Sequence, residues 1–298
     1  MNYIYPKPII SIVGPTAVGK TSVAIQLAKQ INGEIIGLDS RQIYKGMSIG
    51  TAQPSKDEQS LIPHHLIGVK DPNYIVSSGQ YASLVIEAVL DIADKRKEPI
   101  ICGGAGLYYR AISKGIFSES KTDLKIRSSL YEQYDKFGAE YFFSKLEEID
   151  PVYSKKVHIN NKKRLIRALE IFELTGFPPT KHFKNQKMNQ SQLLDLYTVY
   201  LSLEKNVHIN KINERTKHMV KMGWVDEVDY LLSLQKEKRL KMSALDSIGY
   251  KQVIEYINDD IDKETLIKTV VNKTRQYARS QDKWFKKEKI DLFVDLTN

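Results

Sequence analysis

This sequence predicts an α/β fold, a parallel sheet flanked by helices and interrupted by a helical insertion. Three observations predict it. A glycine-rich run from Gly14 to Thr21 lies between an apolar β-branched segment and an amphipathic one. Short apolar segments then alternate with helix-periodic ones, as expected of buried parallel strands joined by helical crossovers. From residue 118 to 192 the pattern turns charged and helical, with no strand-like segment. The expected division is 1–117 for the first part of the core, 118–192 for the insertion, and 193–298 for a second, mostly helical part of the core.

Taken in order, residues 8–13 form an apolar run read as a buried strand. Residues 22–31 carry Val23, Ile25, Leu27, Ala28 and Ile31 at helical spacing, and Asn32-Gly33 stops that helix. Residues 34–38 read as the next strand, ending at Asp39. An amphipathic helix is expected over 83–95 and a third strand over 99–102, closed by Gly103-Gly104. Within the insertion, Thr175-Gly176-Phe177-Pro178-Pro179-Thr180 is a break. Residues 193–203 return to the sheet, helices continue to Lys289, and residues 290–296 form a last short strand.

The chain has 298 residues, 42% of them hydrophobic, enough for one sizeable core with a smaller lobe. It lacks a run of about 18 apolar residues and an apolar leader core at its start, so the expectation is a cytoplasmic protein with no membrane span. Its single cysteine, Cys102, excludes intrachain disulfides and multi-cysteine zinc sites. Net charge is +9, unevenly spread. Residues 151–190 hold nine basic residues against only Glu170 and Glu173. A second basic excess includes Arg275, Arg279, Lys283, Lys286, Lys287 and Lys289. Such clusters suit a polyanion, nucleic acid first, or form a solvated basic face.

Gly14, Pro15, Thr16, Ala17, Val18, Gly19, Lys20 and Thr21 fit the phosphate-loop pattern, and so a P-loop NTPase-like core. Its glycines let several backbone N–H groups converge on one anion, and the following helix adds its positive end. Lys20 brings a mobile charge, and the Thr21 hydroxyl suits Mg²⁺. The loop implies a diphosphate or triphosphate, not what is done with it. Asp39, at a strand's carboxyl end, either serves the same crevice or caps a helix. Gln42 has the amide geometry to read an adenine edge. His64 and His65 lack the companions of a metal site. Trp224 and Trp284 read as packing residues.

An ordered set of motifs adds to this. The phosphate loop is followed by Asp-Ser-Arg-Gln-Ile-Tyr (39–44), Ile-Gly-Thr-Ala-Gln-Pro (49–54) and His-His-Leu-Ile (64–67). Gly-Gly-Ala-Gly-Leu-Tyr (103–108), Arg-Leu-Ile-Arg-Ala-Leu-Glu (164–170), Ile-Gly-Tyr-Lys (248–251) and Thr-Arg-Gln-Tyr-Ala-Arg (274–279) come after. In this order the chain resembles the bacterial tRNA dimethylallyltransferases, also called tRNA isopentenyltransferases, over nearly its whole length.

The resemblance implies transfer of a dimethylallyl group from dimethylallyl diphosphate to the exocyclic amine of the adenine 3′ of a tRNA anticodon. It implies Mg²⁺, a monomer, and an insertion that grips the anticodon stem-loop. Thr16, Lys20 and Arg215 would serve the diphosphate, and Asp39 would be the general base. Asp39, Ser40, Arg41, Gln42, Ala105 and the segment Lys163, Arg164, Leu165, Ile166 and Arg167 would meet tRNA. Arg164 and Arg167, three apart, share a helix face that either reaches phosphate or pairs internally with Glu170.

Three positions depart from the family's pattern. Ala105 stands where a threonine is usual, Asn161 where an aspartate is, and Ser280 where a basic residue is. None falls on Lys20, Thr21, Asp39 or Arg215. Three alternatives remain at this level: a small-molecule kinase using ATP, an isopentenyltransferase acting on free adenine nucleotides, and a non-enzymatic RNA-binding module.

Overall fold

The computed structural model describes residues 4–115, 123–188 and 194–297. The chain divides into two compact units, Met1–Ser113 with Leu193–Asn298, and Lys114–Gln192.

The first unit is built on a six-stranded, all-parallel sheet. Its strands are β1 (Ile9–Val13), β2 (Gly33–Leu38), β3 (His64–His65), β4 (Glu98–Gly103), β5 (Leu196–Ser202) and β6 (Leu292–Asp295), ordered β3-β2-β4-β1-β5-β6. The helices of this unit are α1 (Lys20–Ile31), α2 (Lys56–Leu61), α3 (Ser78–Asp94) and α4 (Gly106–Lys114). The second unit contributes α5 (Leu124–Ile149), α6 (Pro151–Ser154), α7 (Lys162–Thr175) and α8 (Pro179–Met188). The chain then returns to the first unit with α9 (Lys205–Lys221), α10 (Trp224–Glu237), α11 (Tyr250–Ile257) and α12 (Lys263–Phe285).

Successive strand residues point to opposite faces, and the two faces pack separate cores. Ile12, Ile35 and Ile100 join Ala24, Ile25 and Ala28 of α1 on one side. Val13, Ile36 and Ile101 join Tyr81, Val85 and Val89 of α3 with Trp224, Val228, Tyr250 and Phe285 on the other. Every residue of β2 is buried, which is why it reads as a continuous apolar run. Its one charge, Glu34, is held by Lys97 at 2.6 Å and His65 at 2.7 Å.

The expected strands and helices are present with shifted ends. α1 begins at Lys20 rather than 22, and β2 at Gly33, after Asn32 closes α1 in the left-handed conformation. α3 begins at Ser78, not 83, because Ser77 and Gln80 form a capping box that starts the helix earlier. The two-residue β3 and the short α2 were not anticipated. Among the described residues no helix is long and apolar enough to cross a membrane.

The second unit is helical throughout its described residues. α5 turns at Gly138, whose φ of 81° no helix interior adopts. Phe142 and Leu146 of α5 pack on Leu165, Ile166, Ala168 and Leu169 of α7. α7 stops at Gly176, left-handed at φ 67°, within the expected break. Asp150 ties the unit together, accepting from the Tyr153 amide at 2.8 Å and the Thr180 amide at 2.6 Å. The parts of the expected insertion at 118–122 and 189–192 lie outside the described residues.

Candidate active site

Parallel strands aim their carboxyl ends at one edge of the sheet. The ends of β1, β4 and β2 are neighbours there, and they carry the phosphate loop, Gly103-Gly104 and Asp39. A pocket of about 430 Å³ opens between them, lined by Thr16, Ala17, Gly19, Lys20, Thr21, Ser22, Asp39, Gln42, Cys102, Gly103, Gly104, Lys211, Arg215 and Gln281, with Thr51 to Pro54 and Glu58 at its side.

The loop's shape follows from its residues. A side chain at Gly14, φ 148°, would put Cβ 2.6 Å from the Leu201 carbonyl oxygen, so only glycine lets the loop cross β5 this closely. Gly19, φ 112°, precedes α1 without a side-chain cap, leaving the first amides of the helix for an anion. Val18 is fully buried in the α1 core and anchors the loop. Gly14, Pro15 and Val18 thus shape the loop, while Thr16, Ala17, Gly19, Lys20 and Thr21 line the pocket.

Lys20 Nζ donates to the carbonyls of Gly14 at 3.0 Å and Pro15 at 2.9 Å. Burial, aided by the charge of Arg215, pushes its pKa down to about 8. Burial likewise pushes the neighbouring Cys102 thiol up to about 11. Arg215 lies half-buried in the same wall, and its Nη2 donates to Thr16 Oγ1 at 2.7 Å. Burial lowers its pKa, opposed by the carboxylate of Asp39.

Asp39 faces the crevice and caps no helix. Its Oδ1 accepts the amides of Arg41 at 2.8 Å and Gln42 at 3.3 Å, capping a turn. The Asp39 amide donates to Tyr81 Oη at 3.3 Å, while that hydroxyl donates to the Gly37 carbonyl at 2.6 Å, so β2's end is fixed from α3.

Gln42 corrects the sequence reading. Its Nε2 donates to the carbonyls of Thr51 at 3.1 Å and Ala52 at 2.7 Å, which occupies the donors an adenine pair would need. It braces the 49–54 loop. Ser40 and Arg41 are half-buried beside it. Ala105 presents only a methyl group, and its amide donates to the Leu38 carbonyl at 3.1 Å.

Residues the sequence reading did not assign line the pocket or tether its loop: Gln281 and Lys211 are in the wall, and His208 holds Thr16 from outside it. Gln281 Oε1 accepts from the Thr16 amide at 2.8 Å, and its Nε2 donates to the Gly104 carbonyl at 2.9 Å. His208 Nε2 donates to the Thr16 carbonyl at 2.7 Å. Lys211 adds a further positive charge to the wall. For Mg²⁺, the pocket offers the Thr21 hydroxyl. Among the described residues no cluster of three or more His, Cys, Asp or Glu side chains forms a metal cage. That donor set fits Mg²⁺, which keeps waters and takes most other ligands from phosphate oxygens.

In the second unit, Lys163 and Arg164 are exposed at the start of α7. Asn161, the departure from aspartate, still caps this helix by accepting the Arg164 amide at 3.2 Å. The rest of the expected RNA-contacting segment is corrected. Leu165 and Ile166 are 0% and 1% exposed in the helical core, so their side chains are closed to a partner. Arg167 pairs at 2.8 Å with fully buried Glu170, which Arg127 also holds at 2.7 Å. Its guanidinium neutralises a buried carboxylate.

His64 Nδ1 donates to the Ile62 carbonyl at 2.7 Å and His65 binds Glu34, so both brace the sheet edge. Trp224 is buried against Tyr250. Trp284 lies 4.1 Å under the Arg110 guanidinium. Ser280 Oγ donates back to the Gln276 carbonyl at 3.0 Å.

The chain is similar in sequence and fold to known proteins. A family model described as IPP transferase matches residues 42–288. The tRNA dimethylallyltransferase of Halothermothrix orenii is 39% identical over 288 residues, covering 96% of this chain and 87% of that protein. That of Syntrophomonas wolfei is 37% identical, covering 94% and 89%. Of solved structures, the full-length tRNA isopentenylpyrophosphate transferase of Bacillus halodurans is similar with a TM-score of 0.68 at 33% identity, covering 97% of this chain and 90% of that one. A eukaryotic dimethylallyltransferase acting on tRNA is similar with a TM-score of 0.81 at 27% identity, covering 98% and 74%.

Proposed function

The chain belongs to the IPP transferase family, and from that premise we propose that it transfers the dimethylallyl group of dimethylallyl diphosphate to N6 of the adenosine 3′-adjacent to a tRNA anticodon, releasing diphosphate. The observation that carries this reading is one pocket holding a phosphate loop, a half-buried arginine and a strand-end carboxylate: Lys20, Arg215 and Asp39.

The reaction makes one C–N bond and breaks one C–O bond. The allylic carbon becomes electrophilic as its bond to the diphosphate oxygen lengthens, so charge builds on the diphosphate. Free amides at the start of α1, Lys20 and Arg215 are placed to stabilise that charge. Thr16 Oγ1 accepts from Arg215, so its own proton remains to donate to a diphosphate oxygen. Thr21 would hold Mg²⁺, which when bound neutralises further charge on the departing group.

The nucleophile is an adenine amine, reached only once the base leaves its stack. With Oδ1 committed to the turn at 41–42, Asp39 takes the amine proton on Oδ2 as the new bond forms. The helical unit supplies the tRNA grip through Lys163 and Arg164, which position through phosphate and read no base. The working form is a cytoplasmic monomer.

An acceptor assay tests this. Labelled dimethylallyl diphosphate is supplied with tRNA, with AMP, or with no acceptor. Label in tRNA alone is expected. Label only in AMP makes the chain a free-nucleotide transferase, and ATP turnover without prenyl transfer makes it a kinase.

A further inference from the structure

We propose that His208 is a positioning residue for the leaving diphosphate, acting by holding Thr16. This rests on the diphosphate reading of the pocket.

Thr16 is fastened at all three of its hydrogen-bonding groups by side chains from distant elements. Gln281 of α12 takes its amide proton, Arg215 of α9 donates to its hydroxyl, and His208 of α9 donates to its carbonyl, at 2.8, 2.7 and 2.7 Å. His208 and Arg215 are two helical turns apart, so one face of α9 grips both ends of the same residue. A carbonyl cannot donate, so His208 Nε2 carries the proton.

The consequence concerns which group of Thr16 meets the ligand. Its amide is spent on Gln281, so it offers its hydroxyl. A hydroxyl has one proton, and its direction is set once Arg215 occupies a lone pair. That direction holds only while the backbone of Thr16 is still. The next residue, Ala17, has φ 66°, a left-handed conformation that local chain preference does not favour. The loop therefore depends on outside tethers, and His208 is the one at the carbonyl joining Thr16 to Ala17.

The test is a double-mutant cycle between His208→Leu and Thr16→Val, with His208→Gln as rescue, since a glutamine amide places an N–H near the reach of Nε2. Prenyl transfer to tRNA and calorimetric affinity for inorganic diphosphate are both measured. His208→Leu is expected to lower kcat/KM about tenfold and to weaken diphosphate similarly, with KM for tRNA unchanged. His208→Gln is expected to recover most of both. In the Thr16→Val background, His208→Leu is expected to add little.

Additive effects overturn the proposal, as do equal losses in the Leu and Gln variants, or a His208→Leu protein with wild-type rates. Wild-type protein that moves no prenyl group sinks the proposed function instead. The diphosphate cycle then still decides whether His208 acts through Thr16.

Discussion

Raising the pH should loosen the grip on an allylic diphosphate, because Lys20 discharges near pH 8. In the free protein half-buried Lys20 donates to two loop carbonyls, and desolvation together with the Arg215 charge outweighs the pull of the Asp39 carboxylate. A diphosphate adds countercharge to that of Asp39 and raises the Lys20 pKa. The sign follows from linkage. Below the free-state pKa the ammonium is already present, and binding takes up no proton. Above it the amine must first be protonated, and affinity falls about tenfold per pH unit until the pKa of the complex is reached. Between about pH 7 and about pH 9 the charged fraction drops from roughly nine-tenths to roughly one-tenth, so Kd should rise about tenfold. Calorimetry with the unreactive dimethylallyl thiolodiphosphate, in two buffers of different ionisation heat, counts the protons directly. Close to one proton per site is expected at the higher pH and almost none at the lower. Lys20→Arg stays charged throughout and should bind with a flat profile. A flat wild-type profile, or the same slope in Lys20→Arg, refutes the reasoning.

Other consequences separate chemistry from architecture. Arg215→Met removes a desolvated charge, so the thermal midpoint should hold or rise while diphosphate affinity falls about 10- to 100-fold; a parallel loss of both would make Arg215 structural. Asp39→Asn keeps an oxygen for the Arg41 and Gln42 amides, so single-turnover transfer should fall about 10²- to 10⁴-fold with tRNA binding retained; unchanged turnover removes Asp39 from the base role. Lys163→Ala with Arg164→Ala should weaken tRNA binding and lower its log–log salt slope by about 1.5 to 2, read by filter binding. Arg167→Ala should leave that slope alone and lower the thermal midpoint, because it strips a partner from buried Glu170 at a cost of about 3 kcal/mol; the opposite pattern would put Arg167 on the RNA.

Features made within one short segment were legible in the sequence. The phosphate loop announced itself through Gly14, Gly19, Lys20 and Thr21, and the strands before and after it through β-branched runs that parallel sheets bury on both faces. Helix ends were less legible, since the Ser77–Gln80 box that starts α3 is a pair of side-chain bonds. Arg167 shows the limit of spacing. Three residues from Glu170, it had two partners available, and burial of that carboxylate chose between them. Leu165 and Ile166 sit inside a basic run, yet with Leu169 they trace the apolar face of α7. Gln281 and His208 could not have been found by spacing at all. They reach Thr16 across 265 and 192 positions of chain, and nothing local marks either as a loop tether.

The central claim is that a phosphate loop, one used by kinases to move phosphoryl groups, here holds a diphosphate that departs. Mass spectrometry of nucleosides and fragments tests it most directly, using tRNA lacking the modification after incubation with the protein and dimethylallyl diphosphate. The account predicts one prenyl group per acceptor tRNA, on N6 of the adenosine 3′ of the anticodon, with diphosphate released in equal amount. Unmodified tRNA, a prenyl group elsewhere, or phosphate released without prenyl transfer would contradict it.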